Sequence, residues 1–180
     1  MAIIDKPEKF EHGSTVREPP CVMVIFGGAG DLSHRKLLPA LYNLTVDHEL
    51  HERVGIVAFS MEDLDDERYR AWAREGIEKY SRRPLDEANW QRFAPMLHFV
   101  RGRFTEAGDF QALKARLEEF DHQLNAGGNR VFYFAIPPGF IDTCSEGLRR
   151  AGMIRAPEDS SAFTRVVVEK PIGHDLLSAA

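Results

Sequence analysis

Short apolar runs alternate with amphipathic stretches through most of the chain. Apolar residues occupy consecutive positions within the runs, as expected of strands that are buried on both faces of a parallel sheet. Glycine or proline follows several of the runs, which is typical of strand ends. We predict strands at residues 22–26, 54–59, 97–104, 130–136 and 163–169.

The stretches between the runs carry apolar residues at every third or fourth position, the spacing of a helix with one buried face. The clearest stripe predicts a helix over residues 110–124, which Gly127 and Gly128 end. Pro39 must kink the first helix or begin a second segment, because its ring removes an amide donor. The other helices are expected at 32–48, 63–80, around Trp90 and at 140–151. This alternation predicts an α/β, Rossmann-like doubly wound fold, a mainly parallel sheet with helices on both faces.

Length, charge and cysteine content narrow the class of protein. We expect a flexible tail at 1–20 and one dinucleotide-binding domain at 21–180. The net charge of −5 argues against nucleic acid as a partner. The sequence has neither an apolar run of membrane-spanning length nor a hydrophobic signal core, so we expect a cytoplasmic protein without membrane contact. Cys21 and Cys144 are interpreted as core residues, and the histidines lack metal-ligand spacing, so no metal site is expected.

The first predicted strand runs into three closely spaced glycines, Gly27, Gly28 and Gly30, and a helical pattern begins directly after them. A helix N-terminus presents free amide hydrogens and partial positive charge, which suits a pyrophosphate. Gly27 permits a sharp exit from the strand, and Gly30 lets the main chain approach a phosphate closely. Ser33 stands where the common G-x-G-x-x-G pattern has its third glycine. A strand-to-helix turn that merely needs glycine therefore remains an alternative.

Three motifs, in order, resemble those of the glucose-6-phosphate dehydrogenase family. The first is Gly-Gly-Ala-Gly-Asp-Leu at 27–32, which is followed by a basic pair at 35–36 and a Leu-Leu-Pro segment. The second is Arg-Val-Phe-Tyr-Phe-Ala-Ile-Pro-Pro at 130–138. The third is Val-Val-Val-Glu-Lys-Pro-Ile-Gly-His-Asp-Leu at 166–176, and the resemblance extends from Val22 to the end of the chain.

This resemblance implies an oxidoreductase of the pentose phosphate pathway that oxidises glucose 6-phosphate at C1 to 6-phosphogluconolactone. Hydride would pass to the nicotinamide of NADP, or of NAD as in some members. The implied partners are glucose 6-phosphate and the dinucleotide, with a homo-oligomer in the full-length enzyme. The cofactor-binding residues implied are Gly27, Gly28, Ala29, Gly30, Asp31, Leu32, Ser60, Pro137, Pro138, Lys170 and Pro171.

Two lysines are candidate substrate-binding residues. Lys170 follows the last predicted strand, where an ammonium group can pair with a phosphate or donate to a sugar hydroxyl, and the resemblance implies that it holds the substrate. Lys36 is a second candidate, for contact with the substrate phosphate. The family's catalytic base is a histidine in a later motif similar to RIDHYLGK, which is absent from these residues, and His174 is interpreted as polar surface. We therefore expect no catalytic residue here, a substrate domain beyond Ala180, and an inactive isolated chain.

The segment after the second predicted strand bears on the choice of cofactor. In NADP-preferring members an arginine in a string similar to GxxRSxL meets the 2′-phosphate, and this chain has Met61 at that position. A thioether cannot pair with a phosphate, and Glu62 and Asp63 would repel it. NADP is the cofactor implied by the family, but NAD or dual specificity stays open, as does an approach of Arg68 or Arg70 from the next helix.

Two other functions compete with this interpretation. The glycine turn also resembles the GGxGxxG opening of short-chain dehydrogenases and sugar-nucleotide epimerases, which need a Tyr-x-x-x-Lys pair. No tyrosine of this sequence has lysine four positions later. From a different class, the chain could be a non-catalytic nucleotide-binding or assembly module, truncated relative to the full enzyme. The reading frame downstream of Ala180 would separate these alternatives.

Overall fold

A parallel β-sheet forms the centre of the fold in the computed structural model, which describes residues 19–154 and 162–169. Within these residues the sheet has five strands in the order β3-β2-β1-β4-β5. All neighbouring strands are parallel, so the predicted doubly wound α/β fold is confirmed. The strands are β1 Cys21–Phe26, β2 Val54–Ser60, β3 Leu97–Arg101, β4 Arg130–Phe134 and β5 Thr164–Val168.

Helices connect the strands at the positions that the apolar stripes predict. Asp65 and Asp86 begin two of the helices, because their carboxylates accept hydrogen bonds from amides three residues later. Asn125, with a left-handed φ of 53°, ends another. The helices are α1 Leu38–Val46, α2 Asp66–Tyr80, α3 Glu87–Phe93, α4 Ala107–Leu124 and α5 Ile141–Arg150.

A π-helical turn, Ser33–Leu37, precedes α1 and explains how Pro39 is accommodated. The amide of Leu38 donates to the carbonyl of Ser33, five residues back. Pro39 then lies in the first turn of α1, where a missing amide hydrogen leaves no bond unmade. Of the two possibilities given by the sequence, a kink or a second segment, the second is correct.

Each face of the sheet has its own apolar core. Phe26, Phe59 and Phe132 point to the face covered by α4 and α5, together with Phe110 and Leu117 of α4. The opposite face is covered by α1, α2 and α3, with a core centred on Ile25, Ile56, Tyr69, Phe93 and Leu97. Both sides of the central strands are therefore buried, which accounts for the unbroken apolar runs of the sequence.

The outer edge of β3 is closed by side chains of α2. The Phe99 amide donates to the Asp66 carboxylate at 2.7 Å. The Leu97 carbonyl accepts from the Arg70 guanidinium at 3.0 Å. Both backbone groups point away from β2, and an edge strand would otherwise present them unpaired.

Candidate functional site

The glycine turn lies directly at the carboxyl end of β1, the central strand. Gly27 has a φ of +74°, a left-handed conformation that glycine adopts at little cost. Its amide donates to the Phe59 carbonyl of β2 at 2.9 Å. The amide of Gly30 turns back to the carbonyl of Gly27 at 2.9 Å, and the His34 amide follows by donating to the Gly30 carbonyl at 3.0 Å. Strand, turn and helix thus follow one another with no intervening loop.

The three glycines are required for different reasons. A Cβ atom on Gly28 would lie 2.5 Å from the Cβ of Ala58, because the turn packs against β2. A Cβ on Gly27 would lie 2.5 Å from the carbonyl oxygen of Ala135, just beyond β4. A Cβ on Gly30 would meet only the Gly27 carbonyl, at 3.1 Å, and otherwise open space. The first two glycines permit close packing, and Gly30 leaves open the space from which a ligand can approach.

The helix that follows the turn begins with an exposed aspartate and a buried serine. The Asp31 carboxylate pairs with Arg35 at 3.4 Å, so a cation one turn later offsets its charge. Ser33, at the position of the missing third glycine, is fully buried, and its hydroxyl makes no hydrogen bond to a described residue. A small side chain here preserves the close packing of helix on sheet for which the third glycine is usually needed. Lys36 is exposed on the π-helical turn.

Tyr69 of α2 contacts the main chain of the glycine turn, a role that the sequence alone did not predict. Its hydroxyl donates to the Gly28 carbonyl at 3.3 Å, and the side chain is fully buried. Burial raises the pKa of Tyr69 well above its ordinary value of 10. The raised pKa keeps the Tyr69 hydroxyl protonated at neutral pH, where it donates to the turn.

The end of β4 forms the other side of the candidate site. The amide of Ala135 donates to the Phe26 carbonyl at 3.0 Å, so β4 leaves the sheet beside the glycine turn. Pro137 and Pro138 follow as exposed residues at the start of a 3-10 turn, Pro138–Phe140. The connections from β1 and β4 pass to opposite faces of the sheet, which makes this boundary the topological switch point where doubly wound folds bind ligands.

The end of β2 carries the residues that bear on cofactor choice. Ser60 is its last residue and is buried, whereas Met61, Glu62 and Asp63 are exposed. Asp63 accepts a hydrogen bond from Arg101, the last residue of β3, at 2.8 Å. Sequence reasoning did not include Arg101.

Of the two alternative cations of α2, Arg70 is turned away from this edge. It donates to the carbonyl of Leu97, at the amino end of β3, and lies 3.7 Å from Asp66. Arg68 forms an ion pair at 3.8 Å with Asp65, the residue just before α2. The suggestion that Arg70 could replace the arginine absent at Met61 is therefore unsupported, and the same suggestion for Arg68 stays a prediction.

Part of the third motif falls within the described residues. Glu169 accepts a hydrogen bond from the hydroxyl of Tyr133 on β4. Burial, with the adjacent Glu169 carboxylate, raises the pKa of Tyr133 to about 12. Glu169 of the motif is thus attached to the neighbouring strand β4. Lys170 and Pro171, predicted to contact substrate and cofactor, lie outside the described residues.

The geometry fits a dinucleotide. The open space over Gly30, the amides at the start of the helix and the adjoining end of β4 lie together at one edge of the sheet, the arrangement in which dinucleotide-binding folds receive a pyrophosphate. In the described part of the chain, three or more histidine, cysteine or acidic side chains do not come together to share a metal ion. Each helix of that part is too short or too polar to cross a bilayer.

Comparisons with known proteins agree with this geometry. A family profile described as glucose-6-phosphate dehydrogenase, NAD binding domain, matches residues 24–180. Glucose-6-phosphate 1-dehydrogenase 2 of Mycobacterium tuberculosis is 38% identical over 160 residues, 89% of this chain and 31% of its own. Glucose-6-phosphate 1-dehydrogenase of Chlamydia pneumoniae is 36% identical over 162 residues, 89% of this chain and 32% of its own. The chain thus spans about a third of the length of these curated relatives.

Solved structures agree as well. A glucose-6-phosphate dehydrogenase in complex with its substrate glucose-6-phosphate superposes with a TM-score of 0.76 at 30% identity, over 90% of this chain and 32% of that one. The glucose-6-phosphate 1-dehydrogenase of Mycobacterium avium gives a TM-score of 0.74 at 30% identity, over 89% and 32%. The chain therefore belongs to the family of glucose-6-phosphate dehydrogenase NAD-binding domains.

Proposed function

We propose that the chain is the cofactor-binding part of an enzyme that oxidises glucose 6-phosphate at C1 to 6-phosphogluconolactone in the cytoplasmic pentose phosphate pathway. The observation that carries the proposal is the glycine turn, with open space above Gly30, beside the switch point between β1 and β4. The substrate named for the solved relative supports the choice of sugar phosphate. The remainder of the enzyme would supply the substrate domain and the homo-oligomer interface.

Each part of the site then has a defined role. Main-chain amides of the turn and of the first helical residues, other than the Gly27 and Gly30 amides that donate to main-chain carbonyls, bind the pyrophosphate, since no side chain blocks the approach at Gly30. Pro137 and Pro138 line the crevice towards the nicotinamide. A bound dinucleotide supplies the hydride acceptor for C1 of the sugar, which is oxidised as the nicotinamide is reduced.

Two lysines and one residue outside the chain complete the chemistry. Lys170, with Pro171, positions the sugar against the nicotinamide, and Lys36 is in reach of the substrate phosphate. The proton of the C1 hydroxyl must pass to a base as the hydride leaves. That base is a histidine of the substrate domain, so this chain alone holds the reactants without taking the proton.

The cofactor is a nicotinamide dinucleotide, and NAD is bound at least as well as NADP. Met61 is exposed at the end of β2 and offers no charge to a 2′-phosphate, while Glu62 and Asp63 repel one. Loss of one charge-assisted contact lowers affinity by about tenfold to a hundredfold.

A titration of the purified 180-residue chain with NAD and NADP tests the proposal. Gly30→Ala places a methyl group where the pyrophosphate approaches, and we expect at least a tenfold weaker binding with little change in stability. Gly108→Ala is the matched control, because a Cβ there meets nothing within 4 Å. Equal affinities for the two variants would overturn the proposed cofactor site.

A second measurement separates binding from turnover. With glucose 6-phosphate and either dinucleotide, the same chain should bind nucleotide without forming NADH or NADPH. Sustained formation of reduced cofactor would contradict the assignment of the base to another part of the enzyme. Activity of a longer protein that contains the substrate domain would support the enzyme over a non-catalytic nucleotide-binding module.

A further inference from the structure

One ion pair joins the carboxyl ends of β2 and β3. Arg101 and Ser60 are partners in the register of these strands, and the Gly102 amide donates to the Ser60 carbonyl at 2.8 Å. The Arg101 guanidinium donates to the Asp63 carboxylate at 2.8 Å. This level of the sheet is also where β1 ends, since Phe26 pairs with Phe59 and Gly27 follows. The ion pair therefore lies at the same height as the glycine turn, two strands away.

The position of the pair matters because of what this edge binds in dinucleotide-binding folds. The adenosine ribose lies beside the end of the second strand, where a carboxylate accepts from the 2′-hydroxyl of NAD or an arginine receives the 2′-phosphate of NADP. Adjacent strands are about 4.8 Å apart. An arginine on β3 in register with Ser60 is thus within side-chain reach of the group that distinguishes the two cofactors.

We propose that Asp63 sets the preference for NAD over NADP by holding Arg101. This inference rests on the proposed function, because it requires a nicotinamide dinucleotide in the crevice. Without Asp63, Arg101 is a planar fork of donors suited to a phosphate. With Asp63 in place, the guanidinium of Arg101 already donates to a carboxylate, and a 2′-phosphate must compete with that carboxylate for it.

The charges at this edge make that competition unfavourable. Glu62 and Asp63 contribute two negative charges against the one positive charge of Arg101. A 2′-phosphate carries about −1.5 to −2 at neutral pH. If it displaced Asp63 from Arg101, two unpaired carboxylates would face it, whereas the neutral 2′-hydroxyl of NAD meets no such repulsion.

The ion pair can be changed without damage to the fold. Both side chains are exposed, Arg101 by 60% and Asp63 by 84%. An exposed pair contributes little to stability. Substitutions here therefore report on cofactor choice and leave the core unaltered.

Titrations of the full 180-residue chain with NAD and NADP test the proposal. Asp63→Asn should strengthen NADP binding by about fivefold, because release of Arg101 from an exposed ion pair is worth little more than that, and should change NAD binding much less. Glu62→Gln removes the same charge one residue away and is the matched control, since Glu62 makes no ion pair with a described residue. Its effect on NADP should be clearly smaller.

The second step identifies Arg101 as the residue that is released. In the double variant with Arg101→Gln, the gain in NADP affinity should disappear. In the double variant with Arg103→Gln it should persist, because Arg103 follows Gly102 into the connection to α4, where its amide donates to Asp109.

The outcomes separate this inference from the proposed function. A gain in NADP affinity that survives loss of Arg101 would overturn the inference and leave only simple repulsion by Asp63. A wild-type chain that prefers NADP over NAD would also overturn it. A wild-type chain that binds neither dinucleotide would overturn the proposed function, and this inference with it.

Discussion

The hydroxyl of Tyr69 donates to the carbonyl of Gly28 at 3.3 Å and connects α2 to the glycine turn. Both residues are buried, so the carbonyl has no access to bulk water as an alternative donor. The bond fixes the peptide that follows Gly28 and with it the direction of the amides that begin the helix. A residue outside the motif thus positions the main chain of the motif.

Tyr69→Phe removes this bond and retains the ring. We expect the free energy of unfolding to fall by about 1 kcal/mol, the usual contribution of one hydrogen bond, and dinucleotide affinity to fall several-fold because the turn is less ordered. Urea unfolding and nucleotide titration measure the two effects. Tyr80→Phe makes the same chemical change at the last residue of α2, where the tyrosine ring lies edge-on to the ring of His34. This variant should alter neither the free energy of unfolding nor the nucleotide affinity. An unchanged nucleotide affinity for Tyr69→Phe would show that the bond does not position the turn.

Gly28→Ala tests the packing of the turn against β2. The added Cβ would lie 2.5 Å from the Cβ of Ala58, so strand and turn must move apart. Overpacking of this kind costs about 1–3 kcal/mol. Thermal unfolding should show a larger decrease in Tm than for Gly30→Ala, whose added methyl group meets only the Gly27 carbonyl, at 3.1 Å. Equal stability of the two variants would contradict the different roles assigned to these glycines.

His98 of β3 lies in a partly buried cluster that spans both faces of the sheet edge. Its Nδ1 is 3.1 Å from Asp66, and its ring packs on Phe120 at 4.3 Å between centroids. Burial lowers the pKa of His98 below 6.5; Asp66 opposes the shift, while Arg70 and Arg116 add to it. For Asp66, burial raises the pKa, but the Phe99 amide, His98 and Arg70 outweigh it and hold the pKa below 3.8.

Stability should therefore decrease as the solution is acidified. The unfolded chain takes up a proton at His98 more readily than the folded one does. The contribution of neutral His98 to the free energy of unfolding is therefore fully present above about pH 6.5, and it is lost as the pH drops towards the lowered pKa of folded His98. Below pH 3.8 the contribution of Asp66 is lost in the same direction. Urea unfolding between pH 8 and pH 5 measures the first effect. His98→Gln should flatten the profile in that range, and His122→Gln, at an exposed position of α4, should not. A wild-type profile that is flat across this range would refute the assignment.

Arg130 forms the most buried ion pair of the described residues. Its guanidinium pairs with Asp121 of α4 and also donates to the Leu117 carbonyl at 3.2 Å, with only 8% of the side chain exposed. Arg130→Met leaves the Asp121 carboxylate partly buried without a counter-charge, and we expect a loss of about 3 kcal/mol or more.

Chemical denaturation measures that loss, and the control is Arg149→Met. Arg149 pairs with Glu146 on the surface of α5, where both partners are exposed, and its removal should have little effect. Comparable losses for the two variants would contradict the importance given to burial.

The sequence predicts the order of strands and helices well, because burial on both faces leaves unbroken apolar runs. It predicts the ends of strands less well. β3 ends at Arg101 and not at residue 104, because its partner β2 ends at Ser60: the Gly102 amide makes the last bond to β2, and Gly102 packs so closely that a Cβ there would lie 2.2 Å from the ring of Phe59. The local pattern, which has an apolar residue at Phe104, does not contain that contact.

The glycine turn could be found from sequence, whereas the long-range side-chain contacts of the candidate site could not. Tyr69 and Gly28 are 41 positions apart, and Arg101 and Asp63 are 38 positions apart. Both pairs exist because strand register and helix packing bring distant segments together. The excess of carboxylates after β2 indicated, from the sequence alone, that this segment disfavours a phosphate. Nothing in the sequence indicated that Arg101 of β3 lies beside those carboxylates.

The closure of β3 by Asp66 and Arg70 has a consequence for how molecules of this protein meet. A foreign strand that approached this margin would find the Phe99 amide and the Leu97 carbonyl already engaged, and would have to displace a carboxylate and a guanidinium before it could pair. Lateral growth of the sheet, by self-association or by misassembly into fibres, is thereby disfavoured at the β3 side, because two side chains of a neighbouring helix occupy the groups that a new strand would need.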